Sequence, residues 1–271
     1  MTSARDPFQG SSVAVTGAAS GIGRALALRF VRGGARVAAL DRDAAGLADL
    51  VEEAGAAADV RAVALDVADG DACRKAFTEL ASTFGGLDVL VNDAGISHRS
   101  AFADTELAVF RRVMDVNYFG ALHCTHAALP ALLERRGLVV TVSSVAGFAP
   151  LAGRSGYCAS KHALHGLFDT LRCELRPRGV DVLLVCPGFT ATAIERNALG
   201  ADGAPSRRAQ TRVGPQQRPE DVAEAIHRAA ARRRRLLVLS PVGRAARVLT
   251  RVAPRLYDRI MSRGMEAEFR A

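Results

Sequence analysis

The chain lacks most of what would place it in a bilayer, on a metal or in an oxidising compartment. No stretch of its 271 residues approaches the ~20 consecutive apolar residues that cross a membrane. Residues 1–12 are polar and carry no apolar segment of a signal peptide. The five cysteines, Cys73, Cys124, Cys158, Cys173 and Cys186, are odd in number, widely spaced and without a CxxC pair. They read as reduced, mostly buried thiols of a cytoplasmic protein. No cluster of His, Cys and Asp has metal-ligand spacing, so no metal is expected. There is no internal repeat and no interdomain linker. Lysine is nearly absent, with Lys75 and Lys161 alone, and arginine carries the positive charge.

That charge is unevenly placed. Residues 1–206 hold 20 Lys and Arg against 22 Asp and Glu, whereas residues 207–271 hold 16 Arg against 6 acids. The excess in the last quarter fits solvated arginine-rich helix faces; no nucleic-acid motif accompanies it, so no nucleic-acid partner is expected. The hydrophobic share of 49% is enough for one α/β domain with a filled core.

Chemistry first shows in Tyr157 and Lys161. Residues 157–175 have Ala163, Leu164, Leu167, Phe168 and Leu171 at helical spacing. Tyr and Lys four positions apart therefore share a helix face. An ammonium beside a phenol favours the phenolate and lowers its pKa from the usual ~10. Such a tyrosine exchanges a proton with an alcohol or carbonyl oxygen. Taken alone, the pair also fits two surface residues that face each other by chance.

The N-terminal quarter supplies a partner for that chemistry. Residues 11–16 (SSVAVT) form a strand that enters the turn Thr16-Gly-Ala-Ala-Ser-Gly-Ile-Gly23, and residues 24–32 form a helix. Strand, glycine turn and helix make a nucleotide-phosphate site, because the helix amides and their partial positive charge face the turn. Gly17 permits the tight turn; Gly21 and Gly23 admit pyrophosphate and helix close to the backbone. A second strand, 35–40, ends at Asp41, 24 residues after Gly17. An acid there accepts both ribose hydroxyls and repels a 2′-phosphate, which favours NAD. Arg42 follows at once and could pair with that phosphate, so NADP stays open. Ser20 adds no positive charge.

Further strands are expected at 60–65, 87–91, 138–142, 180–185 and 236–239, and helices at 47–53, 71–84 and from 219. A long helical stretch from 106 to 135 should break near Pro130. Polar signals fall at the strand ends: Asp66 and Val67, Asn92-Asp-Ala-Gly95, Ser143 and Ser144, Pro187 and Gly188. Strands alternating with helices call for a doubly wound parallel sheet, a single-domain Rossmann fold of about seven strands with helices on both faces.

With these residues in view, positions 10–240 resemble the short-chain dehydrogenase/reductase family. Its TGxxxGxG motif matches Thr16, Gly17, Gly21, Ile22 and Gly23, and its NNAG turn appears as Asn92, Asp93, Ala94 and Gly95. Asp93 departs from the family's second Asn; it keeps an acceptor, loses the amide donor and can add a charge. The resemblance implies a catalytic set of Asn117, Ser144, Tyr157 and Lys161, with Ser144 thirteen residues before Tyr157. It implies cofactor contacts from the glycine turn with Ser20, from Asp41, Arg42, Asp66 and Val67, from Asn92, Ala94 and Gly95, from Tyr157 and Lys161, and from Pro187, Gly188, Thr190 and Thr192. In that scheme Tyr157 is the general acid/base, Lys161 lowers its pKa and holds the nicotinamide ribose, Ser144 binds the reacting oxygen, and Asn117 holds a water. Residues 157–174 are similar to the steroid- and retinoid-like branch, which implies a lipophilic alcohol or ketone. A homo-oligomer, dimer or tetramer, is also implied.

The segment after Pro187-Gly188, residues 189–217, is expected to act as a substrate lid, disordered or closing on binding. Beyond 240 the chain leaves the family pattern. Arg247, Arg251, Arg255, Arg259 and Arg263 recur every four residues beside Leu249, Val252, Leu256 and Ile260, and Pro254 should split two short helices. This basic amphipathic extension, 241–271, fits packing on the cleft or on a neighbouring subunit, and also peripheral contact with an anionic membrane. Two other readings stand beside the dehydrogenase: a non-catalytic dinucleotide sensor, and a basic membrane- or nucleic-acid-binding protein on the same scaffold.

Overall fold

Residues 12–16, SVAVT, are fully buried on both faces of the strand they form, and the other strands repeat that apolar texture. Such runs of Val, Ala and Leu can satisfy their backbone only inside a parallel sheet covered on both sides. The computed structural model describes residues 5–206 and 215–269, with side chains described through Arg263. Seven strands, β1 (Ser12–Thr16), β2 (Arg36–Asp41), β3 (Val60–Ala64), β4 (Val89–Asn92), β5 (Leu138–Val142), β6 (Asp181–Cys186) and β7 (Leu236–Val238), form one sheet. Every pairing is parallel, in the order β3-β2-β1-β4-β5-β6-β7. The chain winds outward from β1 to β3, then returns to β4 on the other side of β1. The reversal opens a crevice at the strand carboxyl ends.

Alternate residues of each strand feed two cores. Val13 and Val15 join Leu26 and Phe30 of α1 (Gly21–Arg32), Leu47 and Leu50 of α2 (Ala44–Ala54), and Val222 and Ile226 of α8 (Pro219–Ala231). Ala14 faces the opposite core, with Phe77 of α3 (Gly70–Phe84), Leu132 of α5 (Gly120–Arg135) and Leu164 and Phe168 of α6 (Ser155–Leu175). Short polar residues start several helices: Asp43 Oδ1 accepts from the Gly46 amide at 3.1 Å, and Asp69 Oδ1 accepts from Asp71 and Ala72.

The helical stretch before β5 differs from expectation. α4 (Leu107–Met114) runs into a π-helical turn, Asp115–Phe119, and then into α5, which carries Pro130 without a break. A proline costs the helix one backbone bond and some crowding, whereas the wide turn is held from outside through Asn117. Among the described residues, the 189–217 segment is folded down rather than disordered. It contains α7 (Ala193–Arg196), and Leu199 exchanges backbone bonds with Ser97 and Arg99 at 2.8 and 2.7 Å. Residues 207–214 of that segment lie outside the described residues.

The tail forms α9 (Pro241–Val252) and α10 (Pro254–Phe269), parted at Ala253. The arginine run before β7 is structural. Arg233 donates to Asp181 Oδ2 at 2.8 Å and to the Arg136 carbonyl at 3.1 Å, closing the far end of the sheet. Four of the five thiols are buried; Cys173 is exposed.

Candidate active site

A cavity of about 830 Å³ lies at the carboxyl ends of the strands, from Asp41 and Asp66 past the glycine turn to Tyr157 and out to the tail helices. Its cradle is made by what glycine omits. Gly17 has φ +71°, and a Cβ there would sit 2.8 Å from the Ala94 nitrogen. A Cβ on Gly23 would fall 2.2 Å from the Gly17 carbonyl. The turn is thus pressed against the end of β4, and the bare N-terminus of α1 faces the cavity. Ser20 is the N-cap but makes no side-chain cap, so no cap side chain competes with an anion for the first helix amides, of which Gly23's is held by Asp93. A dinucleotide pyrophosphate fits this donor set.

At one end, Asp41 Oδ2 accepts from the Ala19 amide at 3.1 Å and Oδ1 from Asp43 at 3.0 Å, which fixes the carboxylate at the cavity wall. Arg42 is exposed at the same end. Asp66 and Val67, Ala94 and Gly95, and Pro187, Gly188, Thr190 and Thr192 also line the cavity, as do Ser20, Gly21 and Ile22.

Four expected site residues stand behind the wall instead. Thr16 Oγ1 accepts from the amides of Asp93 and Ala94 at 3.1 and 3.2 Å, and so shapes the β4 turn. Asn92 Nδ2 donates to Thr125 Oγ1 at 2.9 Å. Gly23 is buried under Gly17. Asn117 is 1% exposed; its Oδ1 accepts from the Ile96 amide at 2.8 Å, and its Nδ2 donates to the Ile96 carbonyl and to Ser160 Oγ, both at 2.9 Å. Asn117 therefore straps the β4 turn to α6, and Ser160 passes the strap to the Tyr157 carbonyl at 2.8 Å.

The structure brings Ser144, Tyr157 and Lys161 together on the cavity wall. Ser144 lies two residues past β5, where its Oγ accepts from the Ala146 amide at 3.1 Å, and its hydroxyl is hydrogen-bonded to the Tyr157 phenol. Lys161 Nζ donates to the Val142 carbonyl at 3.0 Å and stands 5.7 Å from the Tyr157 ring centroid.

Electrostatics correct one expectation. Tyr157 is not lowered in this site. Burial pushes its pKa well above the usual 10, and the Ser144 hydrogen bond and the Arg154 charge only partly offset that. Lys161 is itself pushed down to about 8 by burial, against the pull of Asp93. Asp93, in turn, is pushed up to about 7 by burial, although Lys161 and the Gly23 amide favour its charged form.

Comparison with known proteins settles the lineage. The family model described as short chain dehydrogenase matches residues 11–202. The chain belongs to the short-chain dehydrogenase/reductase family. It is 38% identical over 267 residues to dehydrogenase/reductase SDR family member 7B of Xenopus laevis, covering 94% of this chain and 82% of that one. The Bos taurus protein of the same name is 39% identical over 259 residues, covering 92% and 80%. Among solved structures, a short-chain dehydrogenase/reductase from Burkholderia phymatum in complex with NAD superposes with TM-score 0.82 at 27% identity, covering 92% of this chain and 96% of that one. A short-chain dehydrogenase from Streptomyces avermitilis gives 0.80 at 32% identity, covering 95% and 99%. The fold and cradle are those of a nicotinamide-dependent oxidoreductase.

Sequence reasoning missed several residues of this short-chain dehydrogenase/reductase site. Arg154, buried at the start of α6, lines the cavity and acts on the phenol through its charge. Glu195 of α7 opposes it, and is itself bound by Arg99 at 3.0 Å. His98 Nε2 accepts from the Gly156 amide at 2.8 Å and so pins the first turn of α6. An arginine three positions before the tyrosine was a usable signal; Glu195 and His98 had none. Of the readings open for the tail, packing on the cleft is the one the structure takes: Leu249, Tyr257, Ile260 and Met261 form part of the cavity wall.

Proposed function

We propose that the protein transfers hydride between NAD(H) and a lipophilic secondary alcohol or ketone, with Tyr157 as the general acid/base. The observation that carries this is the meeting of Ser144, Tyr157 and Lys161 on the wall of one cavity with the glycine cradle. When bound, the dinucleotide supplies or accepts the hydride; the chain's own residues handle the proton and the developing charge. Ser144, through its hydroxyl, steadies the substrate oxygen.

Lys161 Nζ and Asn117 Oδ1 both face the bare α-carbon of Gly95, 3.7 and 3.2 Å from where a Cβ would stand. That space beside the lysine is where a water would resupply the proton. Asp41 supports NAD over NADP, since its fixed carboxylate would repel a 2′-phosphate, while the exposed Arg42 has no set position for one. The lipophilic substrate is supported by the cavity's outer end, where Leu151, Leu249, Ile260 and Met261 meet. A dimer or tetramer in the cytoplasm belongs to the same reading.

The test is titration of wild type and Tyr157→Phe with NADH and NADPH, then turnover on a panel of lipophilic ketones. The expected result is NADH binding by both proteins and a loss of turnover by roughly 10²–10⁴-fold in the variant. Equal turnover in the two proteins would remove Tyr157 as the general acid/base, and NADH binding with no turnover on any carbonyl compound would leave a dinucleotide sensor.

A further inference from the structure

The C-terminal helices have two faces, and only one of them serves the cavity. On the inner side Leu249 and Met261 line the wall, and the Tyr257 hydroxyl donates to the Pro150 carbonyl at 2.9 Å, which ties α10 to the segment after β5. On the outer side Val248 and Val252 stand one turn apart on α9, Leu256 follows on α10 beyond the break, and the three are 62%, 78% and 49% exposed. Ile260 belongs to both sides; it lines the cavity and is 49% exposed, so the apolar strip runs up to the cavity mouth.

Arg244, Arg251, Arg255, Arg259 and Arg263 stand exposed in the same stretch, and Asp258 is the sole acid of residues 241–263. Among the described side chains, none of the five arginines forms an ion pair. Water gains nothing from exposed valines on a well-formed helix, and five cations without an ion-pair partner among the described side chains repel one another. Both costs vanish where apolar side chains enter acyl chains and guanidinium groups meet anionic headgroups. A second copy of this chain is a poorer occupant. In a two-fold dimer the patch would meet itself, setting like charges face to face.

We propose that α9 and α10 dock this outer face on an anionic bilayer, with the cavity mouth at the lipid surface so that substrate enters from the acyl phase. The docking stands on the exposed strip alone; the route of entry rests on the lipophilic-substrate reading.

The experiment is co-sedimentation of the full chain with vesicles of phosphatidylcholine alone and of phosphatidylcholine with phosphatidylserine at about 7:3. Two variants accompany it, Val248→Ser/Val252→Ser/Leu256→Ser and Arg251→Gln/Arg255→Gln/Arg259→Gln, none of these residues lining the cavity. The wild type should bind the anionic vesicles about tenfold more tightly than the neutral ones and release them in ~0.5 M salt, and each variant should lose about tenfold. NADH affinity, measured on all three, should not change and reports that they are folded. Three results would overturn the proposal. One is no sedimentation with anionic vesicles; another is equal binding by the arginine variant. The third is a lipid-free dimer that either variant dissociates, which makes the face a subunit contact. Turnover on a soluble ketone is read separately: vesicle binding without turnover sinks the function proposed above, and turnover without vesicle binding sinks the docking.

Discussion

The Asp93 carboxyl accepts a hydrogen bond from the Gly23 amide, beneath the glycine turn and within the field of Lys161. Its other charged neighbour is Asp41, at the end of β2, which opposes ionisation. An asparagine in this place would make the same acceptor bond and carry no charge. The aspartate instead places a titratable group where a pyrophosphate would lie nearby.

The first prediction follows from its sign. Asp93, pushed up to about 7, is mostly neutral at pH 6 and mostly charged at pH 8. A charge there repels pyrophosphate, so NADH affinity should fall severalfold across that interval. Asp93→Asn should bind NADH with little change over the same range, measured by fluorescence titration. Linkage supplies a second readout. An acid whose folded pKa is raised loses stability as pH rises from its unfolded value of 3.8 towards 7. Asp93→Asn should therefore raise Tm more at pH 8 than at pH 6.

Two glycines should respond in opposite directions. Gly23→Ala forces a methyl to 2.2 Å from the Gly17 carbonyl, against backbone that cannot yield. It should cost about 1–3 kcal/mol or more and weaken NADH binding at least tenfold. Gly166 sits inside α6 with nothing within 4 Å of an added Cβ. Gly166→Ala should stabilise by about 0.5–1 kcal/mol and leave NADH binding unchanged, as chemical denaturation and titration can show.

The Arg99–Glu195 pair joins the β4 side of the cavity to α7, with the Arg99 side chain 5% exposed. Glu195→Gln removes the carboxylate from a buried guanidinium and should cost about 1–3 kcal/mol. It also removes a charge that raises the Tyr157 pKa. Chemical denaturation of wild type and Glu195→Gln measures the loss of stability, and Glu195→Asp, which keeps the charge, should recover part of it.

Acid should weaken the fold through its histidines. His98 and His165 are each pushed down to about 4, chiefly by burial, whereas an unfolded chain takes up the proton near 6.5. With the unfolded state binding more protons, stability falls as pH drops from 6.5 towards 4. His98 can account for up to roughly 1 kcal/mol per pH unit in that window. His98→Gln, whose carbonyl oxygen can take the Gly156 amide, should flatten part of the Tm slope between pH 7 and 5.

Much of this was legible because it is local. A glycine turn between a strand and a helix, an acid at the end of the next strand, and Tyr157 one helical turn from Lys161 state backbone requirements in a few consecutive residues. The alternation of buried apolar runs with helical periodicity likewise implied the seven-stranded parallel sheet, since no other arrangement covers both faces of such strands. Even Asp93 could be marked as a departure by its place in the motif.

What the sequence could not decide depends on which distant segments exclude water. The break at Asp115–Phe119 rather than at Pro130 arises from an amide that reaches Ile96 and Ser160, partners far away along the chain. Tyr157 stands high rather than low because the fold draws it away from water; the spacing to Lys161 carries no information on desolvation. The tail's inner face became cavity wall and its outer face stayed bare, although one four-residue period writes both. Periodicity names the apolar positions of a helix, but only the packing of the whole chain says which of them have something to touch.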